Sequence, residues 1–127
     1  MTRIKILYAD TEQNNLNALM ALFRRKENYD VRTSINANEL LKSLKKELSH
    51  IVIVDQVILE KIGVDFFQIA KIHFTIAVTA SRNLDYVQSA LDQRKLFKYH
   101  SKPINWDDFD KSIEEASFKL KSGSFNL

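Results

Sequence analysis

The sequence predicts an α/β protein built on a doubly wound, five-stranded parallel sheet of strand order 2-1-3-4-5 with five helices. Three observations carry this expectation. Short apolar runs rich in β-branched residues alternate with stretches of helical periodicity five times along the 127 residues. The spacing between successive runs leaves room only for crossover connections, which join parallel strands. The central run, Ile51 to Val54, has no polar interruption, as expected of a strand covered on both faces.

Residues 3–9 hold Ile4, Ile6, Leu7 and Tyr8 and read as the first strand, ended by Asp10. From Glu12 to Lys26, Leu16, Leu19, Met20, Leu22 and Phe23 recur at helical spacing behind Thr11 as N-cap. Residues 29–34 form a short second strand around Val31, and Asn36 or Asn38 caps a helix carrying Leu40, Leu41, Leu44 and Leu48. Ile51 to Val54 is the third strand, followed by a helix over residues 64–72 buried through Phe66, Phe67, Ile69 and Ala70. Residues 74–78 make the fourth strand, and a helix over 84–94 uses Val87, Ala90 and Leu91. Residues 96–99 make the fifth strand, and after Pro103 a last helix over 106–121 carries Phe109, Ile113, Ala116 and Leu120.

This arrangement fills one domain, residues 1–121, with a short tail over 122–127. Two Gly and one Pro leave little material for long irregular segments. The absence of Cys excludes disulfides, thiol redox chemistry and thiolate metal sites. The three His, at 50, 73 and 100, lack metal-ligand spacing. A net charge of +3 is spread along the chain, and the short basic groups Arg24-Arg25-Lys26 and Lys45-Lys46 read as solvated helix faces and ends. With no aromatic interleaving they do not suggest direct nucleic-acid binding. No run of about 18 apolar residues is present and the first ten residues lack a signal-peptide core, so the expectation is a cytoplasmic protein without a membrane partner.

In open sheets of this order, ligands bind beyond the carboxyl ends of the strands, where the order reverses between the first and third. The residues at or just beyond the strand ends are Asp10, Ser34, Asp55, Thr79 and Lys102, the last preceding Pro103. Two acids, a hydroxyl and an ammonium are therefore expected at one rim. Oxygen ligands of this kind suit Mg²⁺, and Lys102 supplies a positive point charge for an anion. A carboxylate nucleophile, a hard cation, a Lys and a hydroxyl are the parts that phosphoryl transfer to Asp requires.

Four stretches carry a family resemblance: "ILYADTE" at the end of strand 1, "IVIVD" with Gly63 eight residues beyond its Asp, "AVTA" at strand 4 and "YHSKP" at strand 5. In that order and spacing the chain resembles the receiver domain of two-component response regulators, a flavodoxin-like fold, over essentially its whole length. The resemblance implies that Asp55 is the phosphoacceptor and that Asp10, Asp55 and the backbone carbonyl of Val57 hold Mg²⁺. It implies that Lys102 contacts the phosphate, that Thr79 bonds a phosphoryl oxygen, and that Tyr99 is the aromatic reporting the switch. A cis bond between Lys102 and Pro103 goes with it. The implied role is signalling rather than enzymatic. A histidine kinase or phosphotransfer protein would supply the phosphoryl group, and a downstream protein or a second copy would read the surface of helix 4, strand 5 and helix 5.

Three departures bear on that role. Thr11 stands where the family has a second acid, followed by Glu12, a first-turn acid. Loss of that carboxylate implies a divalent site weaker by about 1–3 kcal/mol. Ile58-Leu59 replaces the usual Met-Pro, and Lys95-Leu96 the usual Gly-Ala. These departures motivate the alternative of a pseudo-receiver, an interaction module working without phosphorylation. A flavodoxin-like cofactor binder is disfavoured, since "DTEQNN" after the first strand is acidic and offers no phosphate loop.

Overall fold

Alternation along the strands sorts the apolar residues onto two faces, and each face is covered by its own set of helices. The computed structural model describes residues 3–70 and 72–123. Strands β1 (Ile4–Ala9), β2 (Tyr29–Ser34), β3 (Ile51–Asp55), β4 (Phe74–Thr79) and β5 (Lys98–Ser101) form one parallel sheet in the order β2-β1-β3-β4-β5. The helices are α1 (Gln13–Phe23), α2 (Ala37–Lys46), α3 (Gln56–Ile62), α4 (Val64–Ile69), α5 (Asp85–Asp92) and α6 (Trp106–Ser122).

Ile4, Ile6 and Tyr8 of β1, Ile51 and Ile53 of β3, and Ile76 and Val78 of β4 pack against α1 and α6. Leu7 and Ala9, Val52 and Val54, and Ala77 point the other way, towards α2 through α5. All five β3 residues are buried, as the uninterrupted run required. Each fully buried Ile or Leu contributes about 1.5–3 kcal/mol relative to exposure, so packing on both faces, more than local propensity, holds the strands in place.

Among the described residues six helices form where the sequence suggested five. Helix α3 begins immediately after β3 because the Asp55 carboxylate accepts the Val57 N–H at 3.0 Å and caps it. It stops at Gly63, whose φ of 95° a side chain would strain and whose N–H returns to the Leu59 carbonyl at 2.8 Å. Helix α4 starts directly after this glycine and ends at Ile69, three residues short of the expected end at 72, with Lys71 outside the described residues. Its orientation buries Phe67 and leaves Ile69 79% exposed, against the expectation that Ile69 belonged to the core.

Smaller differences have local causes. Thr11 does not cap α1; Glu12 occupies the N-cap, with no side-chain bond to the helix. Asn36 caps α2 by accepting the Glu39 N–H at 2.9 Å. The β5 ladder begins at Lys98 rather than 96, since Leu96 is buried ahead of it and Phe97 donates its N–H to Thr75 at 2.8 Å. Helix α6, capped by Asn105, extends to Ser122, one residue into the expected tail; residues 124–127 lie outside the described range.

At the opposite end of the sheet, the rings of His50 and His73 stack with centroids 5.7 Å apart, and His50 Nδ1 accepts the Lys5 N–H at 2.9 Å. Burial, with the neighbouring His73 and Lys5 charges adding to it, holds the His50 pKa below the ordinary histidine value. Burial likewise lowers His73 and His100. Neutral imidazoles are thus favoured in the native state. Above about pH 6.5 folded and unfolded chains both keep them neutral, and the stabilisation is complete. Below that value the unfolded chain takes up protons first, so stability falls with pH towards the depressed native values. Thermal melts should show Tm falling between pH 7 and pH 5, less steeply in His50→Gln; a flat profile would refute this.

Candidate functional site

The carboxyl ends of four strands deliver the expected side chains to one rim. Asp10 follows β1, Asp55 ends β3 and Thr79 ends β4. Lys102 sits one residue beyond β5, placed by its N–H, which donates to the Thr79 carbonyl at 2.7 Å. The Lys102–Pro103 peptide is cis.

Lys102 is the centre of the arrangement. Its ammonium donates to Asp55 Oδ1 at 2.8 Å and to Asp10 Oδ1 at 3.1 Å, and reaches Glu12 Oε1 at 3.3 Å. The side chains of Lys102, Asp10 and Asp55 are 8%, 0% and 5% exposed, so little water screens these pairs. Burial alone pulls the Lys102 pKa down, but the hydrogen bonds and charges of Asp55 and Asp10 more than reverse that and leave it above the ordinary lysine value. The group remains a cation throughout the neutral range.

Asp10 lies beneath the surface with its oxygens heavily engaged. The Tyr8 hydroxyl donates to Oδ2 at 2.6 Å, the Glu12 N–H to Oδ1 at 3.0 Å, and the Asn15 amide to Oδ2 at 3.3 Å. Tyr8 faces the α1 and α6 side of the sheet, and burial, followed by its bond to Asp10, pushes its pKa strongly upward. It is a permanent neutral donor. Asp55 is more open chemically: among the described residues its carboxylate bonds to the Lys102 ammonium and the Val57 N–H.

Asp55 borders a cleft of about 320 Å³ shared with Thr11, Glu12, Gln56, Val57, Glu60, Thr79, Ser81 and Lys102. Oxygen donors, three of them carboxylates, surround it, and in kind this set fits a hard cation such as Mg²⁺. Among the described residues no three acids or histidines gather as a metal cage; Asp55, Glu12 and Thr11 line the cleft, and Asp10 lies beneath it, bonded to Lys102. Val57 lies in the first turn of α3, where the helical ladder directs its carbonyl along the axis, and its side chain is 64% exposed. With Asp10 already bonded to Tyr8, Glu12 and Asn15, the set is a weaker ligand shell than two free acids at the end of β1 would make.

Tyr99 is apart from this cleft. It packs half-buried on the α2 to α5 side of the sheet and its hydroxyl donates to Gln88 Oε1 of α5 at 3.0 Å. Thr79, in contrast, is buried at the rim; its hydroxyl donates to Gln56 Oε1 at 2.5 Å and accepts the Ser81 N–H at 3.0 Å. Tyr8, Asn15, Gln56 and Glu60 were not legible as site residues. Tyr8 shares the strand face of Asp10 at a separation of two, and Gln56 and Glu60 are four apart on a helix that begins at Asp55, so a prediction of α3 would have exposed the second pair.

The family model described as the response regulator receiver domain matches residues 6–114. Among curated proteins no significant match is found. Among solved structures, the signal receiver domain of an HD domain-containing protein from Pseudomonas fluorescens Pf-5 aligns with a TM-score of 0.79 at 20% identity, covering 94% of this chain and 98% of that one. A response regulator receiver domain protein from Clostridium thermocellum aligns with a TM-score of 0.76 at 23% identity, over 93% and 97%. The receiver domain of Ssk1 from Saccharomyces cerevisiae, solved with the histidine phosphotransfer protein Ypd1, gives 0.75 at 20% identity, over 98% and 96%. At these identities the likeness is one of fold.

Proposed function

This chain belongs to the response regulator receiver domain family, and from that premise we propose that it accepts a phosphoryl group on Asp55 from a phosphohistidine of a histidine kinase or phosphotransfer protein. The observation that carries the reading is the Lys102 ammonium bridging Asp10 and Asp55 at the mouth of an oxygen-lined cleft. A carboxylate oxygen of Asp55 attacks phosphorus, the P–N bond breaks, and its electron pair returns to the imidazole nitrogen, which takes up a proton. Lys102 would neutralise charge on the arriving group, and the Thr79 hydroxyl, which borders the same cleft, would turn to bond a phosphoryl oxygen. Mg²⁺, if held through Asp55 with Asp10 and Glu12 beside it, would supply further charge neutralisation; the Val57 carbonyl could join it only by leaving the direction that the first turn of α3 gives it.

About two added negative charges at Asp55 would reorganise Thr79 and Lys102 and shift the surface made by α5, β5 and α6, with Tyr99 as its reporter. A downstream protein or a second copy of the chain would read that surface. The Ypd1 complex of a similar fold supports a phosphotransfer protein as the donor. The role is that of a cytoplasmic signalling module, neither an enzyme nor a direct binder of nucleic acid. Among the described residues, no helix is long and apolar enough to cross a membrane.

Incubation with Mg²⁺ and a small phosphodonor, followed by intact-mass measurement, should add one phosphoryl group. An unchanged mass, under conditions that label an established receiver, would overturn the proposal. A pseudo-receiver is the second reading, favoured by the engaged oxygens of Asp10 and by Thr11. Calorimetry separates the two: the first reading expects Mg²⁺ binding at millimolar concentration or tighter, abolished in Asp55→Asn, whereas the second expects none.

A further inference from the structure

The Thr79 hydroxyl has one hydrogen to give, and in this structure it goes to Gln56. The bond to Gln56 Oε1 is 2.5 Å long, and Thr79 is 1% exposed, so water does not compete for it. The same oxygen of Thr79 accepts from the Ser81 N–H at 3.0 Å, which fixes the rotor. Gln56 is restrained in turn: its amide donates to Glu60 Oε1 at 2.6 Å, one turn along α3. A chain of bonds thus runs from Glu60 through Gln56 to Thr79, alongside Asp55, and all four residues border the same cleft.

A phosphoryl oxygen on Asp55 would need the hydrogen that Gln56 now holds. A hydroxyl donates one hydrogen at a time, so the two acceptors exclude one another. We propose that Gln56 is a positioning residue that latches Thr79 in the unphosphorylated arrangement and sets the threshold for switching. This rests on Asp55 being the phosphoacceptor. Formation of the modified state requires Thr79 to leave Gln56, and the amide carbonyl then loses its donor, so the latch opposes the change by the worth of one neutral hydrogen bond. The residue does not touch the transferring group in this scheme; it acts through Thr79.

The test uses Gln56→Met, which keeps length and packing but removes the carbonyl, with Thr79→Val as the background lacking the hydroxyl. Beryllofluoride with Mg²⁺ serves as the probe of the modified state, with affinity read by calorimetry and folding checked by thermal melts. Gln56→Met should bind the probe about two- to tenfold more tightly than wild type, and this gain should vanish in Thr79→Val. Equal or weaker binding in Gln56→Met, or the same gain in both backgrounds, overturns the latch. A second measurement needs no probe: the Thr79 γ-methyl resonance of the unmodified protein should report one side-chain rotamer in wild type and averaging in Gln56→Met. An unchanged methyl signal overturns the latch as well. Wild type failing to bind beryllofluoride would instead remove the phosphoacceptor reading and the latch with it, an outcome visible before any variant is made.

Discussion

Asp55→Asn is expected to abolish phosphoryl incorporation from a small phosphodonor while leaving the fold intact. Asparagine keeps a carbonyl oxygen for the Val57 N–H, so the cap of α3 survives. It loses the charge facing Lys102, but Asp10 and Glu12 still hold that ammonium, and no buried cation is stranded. Stability should therefore change by only about 1 kcal/mol. The amide is not a nucleophile at neutral pH, so labelling should fall to background in intact-mass spectra. A variant that takes up phosphate as readily as wild type would place the acceptor elsewhere.

Lys102→Met should be the most damaging single change at the rim. It removes the cation that bridges Asp10 and Asp55, which are 0% and 5% exposed at their side chains, and leaves two carboxylates facing each other in a poorly solvated space. Breaking a buried pair of this kind costs about 3–5 kcal/mol, or about 10–20 °C in Tm for a domain of this size. Labelling should fall too, because the arriving phosphoryl group meets uncompensated negative charge. Lys102→Arg restores charge and should recover part of the stability, but a planar guanidinium cannot reproduce one nitrogen donating to both acids, so labelling stays low. A melt of Lys102→Met superimposable on wild type would show that the ammonium is not what reconciles the two carboxylates.

The strands were legible because burial on both faces leaves no polar position in β3 ahead of Asp55 and few in β4, a pattern read directly from residues 51–54 and 76–78. The rim followed from topology, since every parallel strand of a doubly wound sheet delivers its last residue to the same side. Helix α3 was missed for a physical reason. Val57, Ile58 and Leu59 are adjacent and do not show helical spacing, while the signals that define the helix are its ends, Asp55 and Gly63. Reading Asp55 only as a strand terminus concealed its second role as an N-cap. Ile69 is exposed because α4 turns Phe67 inward, and a residue two positions on lies on the opposite side of the helix. The engagement of Asp10 was illegible because a tyrosine in an apolar strand is ordinarily core, and only coordinates show its hydroxyl aimed at the acid two residues on.

The double duty of Asp55 ties chemistry to architecture. One of its oxygens is bonded to the ammonium and the other anchors the opening peptide of a helix, so no substituent can be attached without disturbing either the charge balance or the start of that helix. The Val57 amide is thus a built-in sensor. Its nitrogen resonance or its deuterium uptake would follow the chemical state of the neighbouring carboxylate without any attached label.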